Sequence, residues 1–171
     1  LTIGNAITSS MTIEGWTAVA GLTGLVLLVA TATGGTISFT TASSTFQGGL
    51  TLHAENGITI SQALTTNGTT LMDADLDNDG GVFTITDFLQ VIDTGDPALT
   101  IISSDISISG SGAISTGARN ALLTVSDGDA IVISGTTYYV LISDGLMLIH
   151  NTTRKAQSFR LASTQANWKT R

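Results

Sequence analysis

Leu50-Thr51-Leu52, Ile58-Thr59-Ile60-Ser61 and Leu64-Thr65-Thr66-Asn67-Gly68 decide the fold. Each stretch is short, alternates apolar residues with Ser or Thr, and runs into a turn. Alternation of that kind marks a half-buried strand. The pattern returns as Leu99-Thr100-Ile101, Ile106-Ser107-Ile108-Ser109 and Ile114-Ser115-Thr116-Gly117, and again as Leu123-Thr124-Val125 and Ile131-Val132-Ile133-Ser134. A fainter copy opens the chain at Leu1-Thr2-Ile3 and Met11-Thr12-Ile13. Self-similarity at this scale is the mark of a solenoid. Taking Leu50, Leu71, Leu99 and Leu123 as equivalent gives steps of 21, 28 and 24 residues. A parallel β-helix absorbs such variation in its loops while its strands stay in register. The expected fold is all-β: a parallel β-helix body with a small antiparallel cap.

Composition agrees. Only 11% of residues are charged while 42% are hydrophobic, and Pro97 is the single proline. Thr, Val and Ile suit a pleated surface, and disorder needs more charge with less hydrophobicity. No cysteine is present, which removes disulfides and Cys-type zinc sites. The chain starts at Leu, so a processed, exported product is expected, at the cell surface or outside the cell.

Three parts are expected. Residues 1–48 hold apolar strands suited to a subunit contact. Residues 49–128 hold the repeats. Residues 129–171 form a cap or connector, with a hairpin joining Ala130–Ile133 to Tyr138–Ile142 and a basic tail. Residues 17–33 carry no charge. They read as a membrane span, as buried strands, or as a surface covered when subunits associate. Two Gly, four Thr and the lack of a positive flank weigh against the span. Leu25, Leu27 and Val29 face opposite to Val26 and Leu28, so this strand needs cover on both sides.

Charge divides along the chain. Residues 1–153 hold all 13 acids and one base, Arg119; the tail holds Arg154, Lys155, Arg160, Lys169 and Arg171 with no acid. One reading is a solvated tail. The other is a head-to-tail contact between a basic end and an acidic body. Nucleic acid is a poor partner for such a body. Trp16 and Trp168, near opposite ends, and Tyr138-Tyr139, with one ring on each face, are candidates for the same contact.

Asp75-x-Asp77-x-Asp79-Gly80 has the acid spacing and the glycine of a calcium loop, and Asp73 adds a fourth carboxylate. Thr86 stands where such a loop would place Glu, so an acidic turn projecting into water is the competing reading. Catalysis has little support. His53 follows an inward Leu52, His150 closes an apolar strand, and no nucleophile-elbow motif accompanies them.

The stretch from Ile58-Thr59-Ile60 through Leu71-Met72-Asp73-Ala74-Asp75-Leu76-Asp77-Asn78-Asp79-Gly80 to Phe83-Thr84-Ile85 resembles repeats of filamentous-haemagglutinin-like and autotransporter-like bacterial exoproteins. Gly135-Thr136-Thr137-Tyr138-Tyr139-Val140 with Phe159-Arg160-Leu161 is similar to a module of repetitive bacterial surface proteins. The resemblance implies a parallel β-helix, export, and adhesion or fibre formation. The expected role is a structural subunit polymerising with itself. The alternative is a segment of a large adhesin that binds glycans or other surface proteins.

Overall fold

A computed structural model of the chain describes residues 1–17, 21–86, 91–95, 97–109, 113–116, 121–125, 131–134, 139–141 and 147–151. The strands run in chain order as β1 (Thr2–Asn5), β2 (Ser10–Ile13), β3 (Val26–Ala30), β4 (Thr36–Phe39), β5 (Ser44–Phe46), β6 (Leu50–Ala54), β7 (Gly57–Ile60), β8 (Leu64–Thr66), β9 (Thr70–Asp73), β10 (Val82–Ile85), β11 (Val91–Asp93), β12 (Leu99–Ser103), β13 (Asp105–Ser109), β14 (Ala113–Ser115), β15 (Ala121–Val125), β16 (Ile131–Ser134), β17 (Tyr139–Leu141) and β18 (Met147–Asn151). They fall into three sheets, ordered β1-β3-β6-β9-β12-β15-β18, β2-β4-β7-β10-β13-β16 and β5-β8-β11-β14-β17. Every strand therefore pairs with its counterpart one coil earlier or later. The result is an all-β, parallel β-solenoid of three strands per coil.

Period-two alternation decides what each strand buries. In β4 and β10 every second residue is buried, and in β6 Leu50, Leu52 and Ala54 point inward. Stacking turns those positions into continuous columns. Met11, Ile37, Ile58, Phe83 and Ile106 form one, in register from β2 to β13. Ile13, Phe39, Ile60, Ile85 and Ile108 form the next. Each such side chain, fully buried, contributes about 1.5–3 kcal/mol. Phe39 lies edge-on to Phe46, with ring centroids 6.3 Å apart.

The coil phase differs from the sequence expectation. Val26, Leu50, Thr70 and Leu99 share one inward column, and the next holds Leu28, Leu52, Met72, Ile101 and Leu123. Leu71 pairs with outward Thr51 instead, and Leu123 pairs with Ile101 rather than Leu99. The reason is chemical: a corner position accepts Thr70, whose hydroxyl is satisfied by Thr66 Oγ1 at 2.6 Å and by the Gly68 carbonyl at 3.0 Å. A buried hydroxyl with partners costs little, so the column tolerates a residue that a purely apolar reading skips.

Several turns use left-handed backbone. Gly57 has a φ of 132° and a Cβ there would stand 2.9 Å from the Val82 carbonyl oxygen. Only glycine meets both conditions without strain.

The antiparallel hairpin expected after residue 130 is not seen among the described strands. β16 pairs parallel with β13, β17 with β14, and β18 with β15. Ile131–Ser134 and Tyr139–Leu141 lie in different sheets and so do not pair with each other as a hairpin. The strands on either side of residue 48 likewise continue the same sheets. No helix among the described residues is long and apolar enough to cross a membrane; Val26–Ala30, in the uncharged segment, is strand β3.

Candidate functional site

Two features stand out against the regular wall: the N-terminal end of the stack and the loop between β9 and β10.

At the N-terminal end, β1 and β2 are outermost in their sheets among the described residues. Their inward side chains occupy core columns, with no described coil beyond them. Ile3, Met11, Ile13, Trp16 and Leu22 are only half-covered and pack on the core beneath. Leu1 is 54% exposed and Ile7 85% exposed. Trp16 stacks flat on Phe46, with ring centroids 5.5 Å apart and planes 9° apart. Its N–H donates to Ser44 Oγ and its carbonyl accepts from the Thr45 N–H. Trp16 thus continues the third sheet's position without forming a strand. A second apolar patch lies on the wall. Leu25 is 53% exposed, and Leu27 and Val29 face outward from β3, half-covered. They are flanked by Thr2 and Gly4 of β1 and by Thr51 and His53 of β6.

Of the residues expected at a subunit contact, the structure places Trp16 at the end and Leu25, Leu27 and Val29 on the wall. Tyr139 begins β17, its backbone in register with Ala113. Tyr138, Arg154, Lys155, Arg160 and Trp168 lie outside the described residues. The end residues Ile3, Met11 and Ile13 were visible only as a faint repeat copy.

The loop from Ala74 to Gly81 joins β9 to β10. Its carboxylates do not act as one group. Asp75 is 3% exposed. Its Oδ1 accepts from the N–H groups of Asp79, Gly80 and Gly81 at 3.0, 3.0 and 2.9 Å. Its carbonyl accepts from Asn78 N–H at 3.0 Å, where Asn78 has a φ of 64°. Asp75 is therefore the internal cap that folds the loop. Asp73 stands on the outer face of β9 beside His53. Partial burial raises its pKa above the ordinary 3.8, and the Asp75 N–H and His53 oppose that rise.

Asp77 and Asp79 meet a residue that the sequence reading left out. Their carboxylate oxygens and one of Glu55 all lie within 4.8 Å of one another. Glu55 comes from the corner between β6 and β7 one coil earlier. It is largely buried, and its Oε2 accepts from the N–H groups of Gly34 and Gly35. Like-charge repulsion from Asp77 is the main cause that lifts the Asp79 pKa above its ordinary value, with smaller contributions from slight desolvation and from Glu55. Three carboxylates in this arrangement supply part of the six to eight oxygens that calcium takes, with water supplying the rest. Within the Asp73–Asp75–Asp77–Asp79 motif, the Asp75 Oδ1 is engaged by its own loop, and the carboxylates that come together are those of Asp77 and Asp79 with Glu55. Coil register, which brings Glu55 alongside, is invisible to a motif read along the chain.

Geometry places the chain in one class: a parallel β-solenoid with an apolar, half-covered end and an acidic corner. No known protein family, curated protein or solved structure matches it.

Proposed function

We propose that this chain is a structural element of an extracellular filament, extended by end-to-end stacking of solenoid coils with further copies of itself. One observation carries this reading: among the described residues, the core columns are only half-covered at the first coil, at Ile3, Met11 and Ile13. A half-covered column and an open parallel strand edge are completed by one kind of neighbour, another coil in the same register. Contacts of that heterologous type do not close and so give fibres. The wall adds support, since its outward positions are mostly small, uncharged residues that permit long uninterrupted stacking. The sequence's five basic residues within 154–171, against an otherwise acidic chain, favour attraction between unlike ends.

The resemblance to large exoproteins favours a second reading, in which the same solenoid is a segment of a secreted adhesin that presents its wall to glycans or other surface proteins. Both readings use stacked coils; they differ in whether the next coil belongs to another molecule. Electron microscopy of the purified chain separates them. Filaments one solenoid wide support self-stacking. Single particles at high concentration, with and without calcium, overturn it and leave the adhesin segment.

A further inference from the structure

The outer face of the first sheet carries rows whose residues alternate from coil to coil. One row runs Thr2, Leu27, Thr51, Leu71, Thr100 and Leu122 on β1, β3, β6, β9, β12 and β15. Threonine and leucine alternate, so a leucine recurs every second coil, about 9.6 Å apart. The next row, two residues on, holds Val29, His53, Asp73 and Ile102 on β3, β6, β9 and β12. Apart from the exposed Thr2, these side chains are half-buried. Before the first row, Leu25 is 53% exposed and leans over Gly49, where a Cβ would stand 3.2 Å from Leu25 Cδ1. The N–H groups of Val26, Leu50 and Thr70 donate to the carbonyls of Gly49, Thr69 and Ala98, which carries the same register back to those residues. The second sheet has no counterpart: its outer row from Thr12 to Ser107 is entirely Ser and Thr.

This face is its own complement. A second copy fits on it with strands parallel and solenoid axis reversed, related by a twofold axis parallel to the strands and midway between β6 and β9. β6 then faces β9 of the second copy, β3 faces β12, and β1 faces β15. Each leucine of the row meets a threonine: Leu71 meets Thr51, Leu27 meets Thr100, and Leu122 meets Thr2. In the next row His53 meets Asp73 and Val29 meets Ile102. The exposed Leu25 meets the small Ala98. The symmetry makes each contact twice. Leucines enter the gaps over threonines at the roughly 10 Å spacing of packed sheets, and each imidazole gains a carboxylate partner across the contact. Neighbouring positions of the axis fail. Through β9 it sets Asp73 against Asp73, and between β9 and β12 it sets Asp73 against Ile102, covering a carboxylate with no partner. Six strands by five residues cover about 29 by 17 Å, so roughly 500 Å² per protomer and about 1,000 Å² in all, enough for a specific but weak dimer. The acidic loop after β9 leaves the face at the corner, so its charge stands at the rim, where salt screens it.

We infer that the first sheet's outer face pairs with a second copy of the chain, in opposite polarity, to form a lateral dimer. This contact goes beyond end stacking and uses a different surface; where ends also stack, two filaments run side by side. The test is analytical ultracentrifugation of the full chain carrying Met11→Lys, which disables the end. The expected result is a concentration-dependent doubling of mass, with a dissociation constant on the order of micromolar. Adding Leu71→Lys weakens the dimer at least about tenfold. Thr65→Lys, the same charge on the outer face of β8 in the third sheet, leaves it unchanged. His53→Asp and Asp73→His each weaken it by setting like groups face to face. A mixture of those two single variants restores it, because only the mixed pair sets Asp against His at both positions. Circular dichroism establishes that each variant keeps the β fold. A monomer at every concentration overturns the inference, as does a dimer indifferent to Leu71→Lys or a mixture that fails to recover. None of these results bears on end stacking, which micrographs of the parent report separately.

Discussion

Met11 and Ile58 occupy the same column, two coils apart. Ile58 is fully buried, while Met11 is half-covered. Their local sequences, Met11-Thr12-Ile13 and Ile58-Thr59-Ile60, are close to identical in pattern. The difference comes entirely from neighbours. A central residue is sealed by a coil on either side, and Met11, among the described residues, by one. In a solenoid, burial is a property of the stack, and stability is close to a sum over coils and their interfaces. The end coil therefore holds apolar surface in reserve for whatever stacks next.

That contrast can be broken at its strong side first. Phe83→Ala, in the middle of the column, is expected to cost about 3–5 kcal/mol by removing a buried ring and leaving a cavity; denaturant unfolding measures it. A loss below about 1 kcal/mol would mean that the centre is no better packed than the end. Asp75→Ala removes the acceptor of three loop N–H groups. It is expected to cost roughly 1–3 kcal/mol, with hydrogen exchange rising first at Asp79, Gly80 and Gly81. Met11→Ala in the dispersed protein should cost only about 1 kcal/mol, because half of the side chain is already in water. Met11→Lys sharpens the same point: dispersed stability changes little, while filament assembly, followed by light scattering, is lost.

The smallest effect has the opposite sign. The folded-state pKa of Asp79 is raised, so the folded protein holds more protons than the unfolded chain between the ordinary 3.8 and that raised value. Stability contributed by this group is present at low pH and is lost as pH rises through the folded pKa. Asp79→Asn should therefore raise the melting temperature slightly at neutral pH and leave it unchanged well below pH 3.8. Calcium should raise the parent's melting temperature more than sodium chloride of equal ionic strength, and Asp79→Asn should narrow that gap. A parent indifferent to calcium would show that Glu55, Asp77 and Asp79 merely repel one another.

Much of the architecture was legible along the chain. Ile58-Thr59-Ile60 and Ile106-Ser107-Ile108 carry alternation strong enough to fix both strand and inward face. Phase was harder. Leu71 looks like a core leucine and Thr70 like a surface residue, yet the corner hydrogen bonds of Thr70 reverse them. The strand pair after residue 130 read as a hairpin because a Gly-containing turn between two strands is the same signal whether the chain folds back or rounds a corner. The acidic loop was recognised as a motif, but its composition changed. Asp75 turned inward to its own backbone, and Glu55 came in from a neighbouring coil. Trp16, Leu25, Leu27 and Val29 were picked out for their apolar surface, which the structure retains. Ile3 and Met11, which define the end, have no signal beyond alternation.

Cryo-electron microscopy of the purified chain at neutral pH tests the central claim most directly. The account predicts filaments in which strands continue along the axis at about 4.8 Å spacing without a break where one chain meets the next, and with Met11 buried at that junction. Particles no longer than a single chain at every concentration, or filaments joined through the outer walls with Met11 still in water, would contradict it.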